Sequence, residues 1–214
     1  MMKNILAGWL FLVLVISLPG CKSSFLDLED KGSISENNFP TSLDHLDLLL
    51  VSVYGVQHER GFMGYWWHGY SVFCLDHTID MQWRNDDAWI GISTGMARQG
   101  DNKVTNQWRD IQKGIYFANS TLEGIARYRT IAPASEKQAI DNKEGEALFM
   151  RGFYLWHLEV LYGQPDLDGM GVPIIVGLPK DLSAMSVPRA TTRECYQAMI
   201  KDLISGQIDA GILW

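Results

Sequence analysis

Cysteine is scarce in this chain, with three residues among 214, at positions 21, 74 and 195. That number and spacing exclude a disulfide scaffold and a four-cysteine zinc site. No block of lysine or arginine occurs, and 18 basic against 25 acidic residues give a formal charge of −7. A nucleic-acid backbone is therefore not an expected partner. No apolar run reaches the roughly 20 residues that a membrane-spanning helix needs. No strict self-similarity is visible at the period of about 34 residues typical of tetratricopeptide arrays. Charge is not in excess either: 20% of residues are charged and 47% are apolar, which excludes global disorder. Tryptophan, by contrast, is abundant. Of eight residues, four (Trp66, Trp67, Trp83 and Trp89) fall in one short stretch.

The N-terminus reads as an address. Lys3 is the only charge before Lys22, and the apolar run Ile5–Ile16 follows it. A basic start, a short apolar core and a small residue before the break form the pattern of a secretory signal, here residues 1–20. Leu18-Pro19-Gly20-Cys21 resembles a bacterial lipobox, in which the cysteine is lipidated and becomes the first residue. Each buried methylene of such an anchor contributes about 0.8 kcal/mol, so several acyl chains hold firmly. Cys21 is thus the expected lipid attachment site and residues 21–40 the lipidated tether. Cys74 and Cys195 then remain, and two distant cysteines are expected to be separate buried thiols.

Helical periodicity organises much of the rest. Leu43, Leu46, Leu50 and Val53/Tyr54 predict a helix over about 41–56, with Thr41 and Asp44 as a capping-box-like start. Trp108, Ile111, Ile115, Ala118, Leu122 and Ile125 form an amphipathic stripe. Pro133, Ser135 and Gln138 open a helix that runs to Tyr162 and stops at Gly163. From Ala147 to Leu161 it is apolar on nearly every side, as expected of the buried centre of a bundle. Residues 163–190 hold four prolines and four glycines and read as a connector. Thr191 with Glu194 is a further capping box, opening a helix over 192–205 with Tyr196, Met199, Ile200 and Leu203 on one face. The expected fold is mainly α, a tetratricopeptide-like helical-repeat bundle over 41–214. It carries a long irregular aromatic-rich insertion over residues 57–101, where no period persists.

That insertion holds the candidate ligand site. Sugars present apolar C–H faces that stack on aromatic rings, and hydroxyls that bond to carboxylates and amides. Trp66, Trp67, Tyr70, Trp83 and Trp89 supply rings, with Asp80 and Arg84 as polar neighbours. Packing of these rings onto the bundle is the competing reading. His68, Cys74 and His77 lack a fourth metal ligand. Asp166-x-Asp168-Gly169 departs from a calcium loop at Met170. No metal or cofactor is expected. Arg151 is expected to pair across to another helix, and Asn119 to cap a neighbouring turn rather than touch a ligand.

Several separated motifs also resemble one family in order. Cys21–Glu29 and Gly32–Phe39 look like the lipidated start of SusD/RagB-type lipoproteins. Ala118-Asn119-x-x-Leu122 resembles their Ala-Asn-x-x-Leu signature, and Glu144–Tyr154 their Gly-Glu-Ala-x-Phe-x-Arg-Ala-x-Tyr stretch, with Gly152 in place of the usual alanine. Val187–Thr191 and Tyr196-x-x-x-Ile200-x-Asp202-Leu203 follow. Members of that family are as a rule longer, so 41–214 reads as an N-terminal, truncated helical-repeat domain. The resemblance implies an outer-membrane, lipid-anchored protein facing outward. It implies binding of a glycan or other nutrient, hand-over to a TonB-dependent outer-membrane transporter, and no enzymatic activity. The other functions to separate from it are a helical-repeat adaptor that binds only protein and a surface glycosidase working with two carboxylates.

Overall fold

The computed structural model describes residues 39–64, 96 and 98–209, with side chains to Gly206. All of them belong to the unit Phe39–Trp214, distinct from the unit Met1–Asn38. The signal segment and Cys21 therefore lie outside the described residues, as does nearly all of the tether over 21–40.

Among the described residues four helices carry the fold: α1 (Leu43–Gly55), α2 (Asn102–Arg129), α3 (Lys137–Tyr162) and α4 (Thr192–Asp209). Single 3-10 turns stand at Val56–His58, Ala134–Glu136 and Ser183–Met185. No strand occurs among the described residues; one antiparallel bridge joins Met170 to Thr191. The helical-repeat expectation is met. Successive helices run antiparallel, as their contacts require. Between α2 and α3, Trp108 meets Tyr162, Asn119 meets Arg151, and Arg129 meets Asp141. Between α3 and α4, Arg151 meets Asp202 and Glu159 meets Thr192.

The periodic positions become the core. Leu46, Leu50 and Val53 are buried on α1, and Ile111, Ile115, Ala118 and Ile125 on α2. One cluster gathers Phe62, Ile111, Ile115, Tyr154, Leu158 and Val172; a second joins Leu46, Leu50, Ile125, Tyr128, Ile140 and Ala147. Each buried leucine or isoleucine contributes about 1.5–3 kcal/mol. Tyr154 sits at the centre: its ring lies against Gly114, where a Cβ would come within 2.7 Å of it. Its hydroxyl donates to the Val53 carbonyl at 2.6 Å, so α1, α2 and α3 meet on one side chain.

Helix ends show where local chemistry was misread. Thr41 does not cap α1; Ser42 does, its hydroxyl accepting from the His45 amide at 3.3 Å. Thr41 instead donates its amide to His45 Nδ1. The two compete because both are hydroxyl residues just ahead of the helix, and Ser42 holds the extended backbone that a cap needs. The α3 start at Pro133–Gln138 is a 3-10 turn without a side-chain cap. At α4 the capping box is reciprocal: the Thr191 amide donates to Glu194 Oε2 (2.8 Å), and the Glu194 amide to Thr191 Oγ1 (3.2 Å). Gly163 ends α3, but in extended rather than left-handed backbone. Space demands the glycine, since a Cβ would meet Glu159 Oε1 and, at 2.7 Å, the Glu159 carbonyl.

Helix α3 contacts the other three helices, as a central helix should. It is not sheathed all round, however. Phe149, Trp156 and Val160 are exposed along one face. Among the described residues, three helices pack on it and cover part of its circumference.

Candidate functional site: a cavity beneath the connector

The expected ligand residues Trp66, Trp67, Tyr70, Asp80, Trp83, Arg84 and Trp89 all lie outside the described residues, as do His68, Cys74 and His77. What the described residues contain is a cavity of about 290 Å³ between α2 and the connector, lined by Gln112, Ile115, Tyr116 and Asn119 on α2 and by connector residues from 174–179 and 184–187. A smaller one of about 160 Å³ adjoins it through Ile115 and Ile174–Val176 and is bordered by Arg151, Lys201 and Asp202.

The connector is a built wall. After α3, Arg189 ties it down: its Nε donates to the Gly171 carbonyl (2.5 Å) and its Nη2 to the Tyr162 carbonyl (2.7 Å). Buried Glu159 accepts from the Val172 amide (3.0 Å) and the Thr192 hydroxyl (2.8 Å). Cys195 is a free, buried thiol beside it, donating to the Val172 carbonyl. Burial pushes that thiol up to about 11, so it is inert at neutral pH. This agrees with the expectation of a separate buried thiol.

Beyond Pro173 a strap, residues 174–178, crosses α2. Asn119 holds it: one side-chain Nδ2 donates to the Ile175 and Gly177 carbonyls at 3.1 and 3.2 Å. The Asn119 oxygen accepts from Arg151 Nη1 (2.9 Å), and Arg151 grips Asp202 with two bonds of 2.7 Å. Such bidentate pairs fix geometry as well as charge. The residues expected to pair between helices and to cap a turn do so, and they act as one relay from α4 through α3 and α2 to the strap. Gly177 turns the chain with φ near +83°, which a side chain would strain. The next amide, Leu178, is held by Glu123 Oε1 at 2.9 Å.

The family model described as "Starch-binding associating with outer membrane" matches residues 24–208. The chain belongs to this SusD-like family. Two solved structures share the fold. A SusD superfamily protein from Bacteroides thetaiotaomicron VPI-5482 superposes with a TM-score of 0.65 at 21% identity, over 78% of this chain and 37% of that one. A SusD homolog from the same organism gives 0.61 at 16% identity, over 81% and 32%. The SusD-like chain thus spans about a third of the length of these structures. No curated protein matches it.

Within the SusD-like chain the family-type residues Asn119, Arg151 and Asp202 prove to be scaffold. Asn119 and Asp202 are buried, and both engage the partly buried Arg151. Sequence reasoning missed the cavity residues Gln112 and Tyr116. Their signal was faint: they stand one turn apart on α2, beside the buried stripe. The other signal was a β-branched run, Ile174-Ile175-Val176, set between two prolines inside a connector. Among the described residues no group of three or more His, Cys, Asp or Glu stands ready for a metal. Asp166 instead makes a local turn with the Asp168 amide, and Asp168 pairs with Arg193.

Proposed function

We propose that this protein is a cell-surface glycan-binding lipoprotein, anchored through acylated Cys21, that delivers its ligand to a TonB-dependent outer-membrane transporter. The observation that carries the reading is the match of a starch-binding, outer-membrane-associated family across residues 24–208. The rigid helical frame supports it, because binding residues concentrate on irregular segments mounted on such frames. In this reading residues 1–20 are removed, 21–40 tether the domain, and 41–214 form the helical-repeat domain. The aromatic set Trp66, Trp67, Tyr70, Trp83 and Trp89, with Asp80 and Arg84, serves as a stacking platform. The activity proposed is binding without turnover.

Two arms test the reading. Cys21→Ala should release the protein from the membrane fraction and abolish fatty-acid labelling; persistent attachment would argue for an uncleaved helix. Pull-down through the wild-type protein should recover a TonB-dependent transporter and leave bound oligosaccharide chemically unchanged. Release of new reducing ends would instead favour a glycosidase.

A further inference from the structure

We propose that the cavity between α2 and the 174–187 segment is itself a sugar subsite, taking one neutral pyranose ring of a glycan whose remainder lies outside it. The proposal rests on the glycan-binding reading above and adds a site to it, distinct from the 66–89 platform.

Size comes first. At about 290 Å³ the cavity stands at the lower edge of the range of roughly 300–1,000 Å³ usual for small-molecule sites. It suits one ring rather than a chain. Its lining then selects the chemistry. No charged side chain lines it among the described residues, and the Arg151–Asp202 pair that borders the adjoining cavity is closed on itself. Nothing there recruits an ionic ligand. Aliphatic groups from Ile115, Ile175 and Leu178 give an apolar floor, to which the half-exposed Tyr116 ring and the exposed Met185 add.

Polar groups are present as well, and they are uncommitted. Among the described residues no partner engages the Gln112 amide or the Tyr116 hydroxyl, nor the main-chain N–H and C=O of Ile174 and Val176. Backbone groups that lose water must regain a partner. A purely apolar occupant would remove that water and return nothing. A sugar ring brings both what the floor needs, a C–H face, and what the rim needs, hydroxyls that donate and accept. Tyr116 and Gln112 are a helical turn apart, the spacing at which two side chains on α2 reach one ligand. The wall is also fixed in advance by Asn119 and Glu123, which hold Ile175, Gly177 and Leu178. A preformed site loses little to ordering on binding.

The experiment is hydroxyl-radical footprinting of the full chain with maltoheptaose and with neutral oligomers of mannose and xylose, alongside titration calorimetry. Exposed Tyr116 and Met185 report directly in the unmutated protein. With the glycan that binds, both should be protected. Tyr116→Ala should weaken binding roughly fivefold, as expected for one stacked ring. Gln112→Ala should weaken it by a similar factor, with circular dichroism unchanged in both. If a glycan binds with unchanged affinity in both variants and Tyr116 stays unprotected, this subsite is wrong and the glycan-binding reading stands. If no glycan binds the wild-type chain, the subsite falls together with the reading it rests on.

Discussion

Gly152 occupies a buried position where α3 meets α4, yet the space beside it would accept a methyl group. A Cβ there would lie 3.6 Å from Asp202 Cβ, Leu203 Cγ and the Met199 carbonyl, which is ordinary contact. Glycine in a helix interior costs about 0.5–1 kcal/mol relative to alanine. Gly152→Ala should therefore raise stability by about that amount, read as a higher urea midpoint at unchanged slope. Gly114→Ala, whose Cβ would strike the Tyr154 ring, should lower it. His157 supplies a pH dependence. It is buried on α3 against Phe62, Phe153 and Trp156, and burial lowers its pKa below the ordinary 6.5, the bond to the Phe153 carbonyl opposing this in part. A folded-state pKa below the unfolded one means that the unfolded chain binds the proton more readily. Stability from this group is thus complete above about pH 6.5 and is lost as pH falls below it. Urea midpoints at about pH 7.5 and about pH 5.5 should differ in the wild type, and the difference should shrink in His157→Gln. An equal difference in both proteins would contradict the assignment.

At the scale of elements, one polar relay ties α2, α3 and α4 to the strap. Its core pair is mostly shielded, with side-chain exposures of 12% for Arg151 and 11% for Asp202. Removing one partner of such a pair costs about 3–5 kcal/mol, because the other charge is left buried and unanswered. Asp202→Ala should destabilise the fold on that scale. It should also loosen the strap 174–178, read as faster hydrogen exchange at the Leu178 amide that Glu123 holds, although Asp202 makes no bond to the strap. Slow exchange there in the variant would show that Asn119 holds the strap unaided. Helices were legible in the sequence because burial on one face imposes a period: the stripe from Trp108 to Ile125 needs no tertiary knowledge. Arg151 was legible because a charge on the most apolar helix must find a partner. The cap at Ser42 was not, since Thr41 and Ser42 carry the same group and only backbone conformation separates them. Nor was the cavity, because it arises where residues 174–187 fold back over a helix more than fifty positions away, and no local pattern encodes that return.

Across the described residues as a whole, two kinds of surface occur. Ion pairs join α2 to α3, such as Arg129 with Asp141 and Glu144. Apolar groups are exposed elsewhere: Tyr196, Ile200, Leu203 and Ile204 on α4, and Phe149, Trp156 and Val160 on α3. The α4 face expected from the sequence is thus split, with Met199 turned inward onto α3 and its neighbours left outside. Contiguous exposed patches beyond about 300–600 Å² are unusual on monomers. The chain by itself should self-associate in a concentration-dependent way by light scattering, and Ile200→Lys with Leu203→Glu should suppress this. A monodisperse monomer at high concentration would contradict it.

Glycan capture is the property on which the account stands or falls, and affinity electrophoresis of the purified chain through a native gel cast with soluble starch tests it most directly. Retardation relative to a starch-free gel is expected, relieved by added maltoheptaose, with no loss of starch along the track. Unchanged mobility at every starch concentration, or cleared starch behind the band, would contradict it.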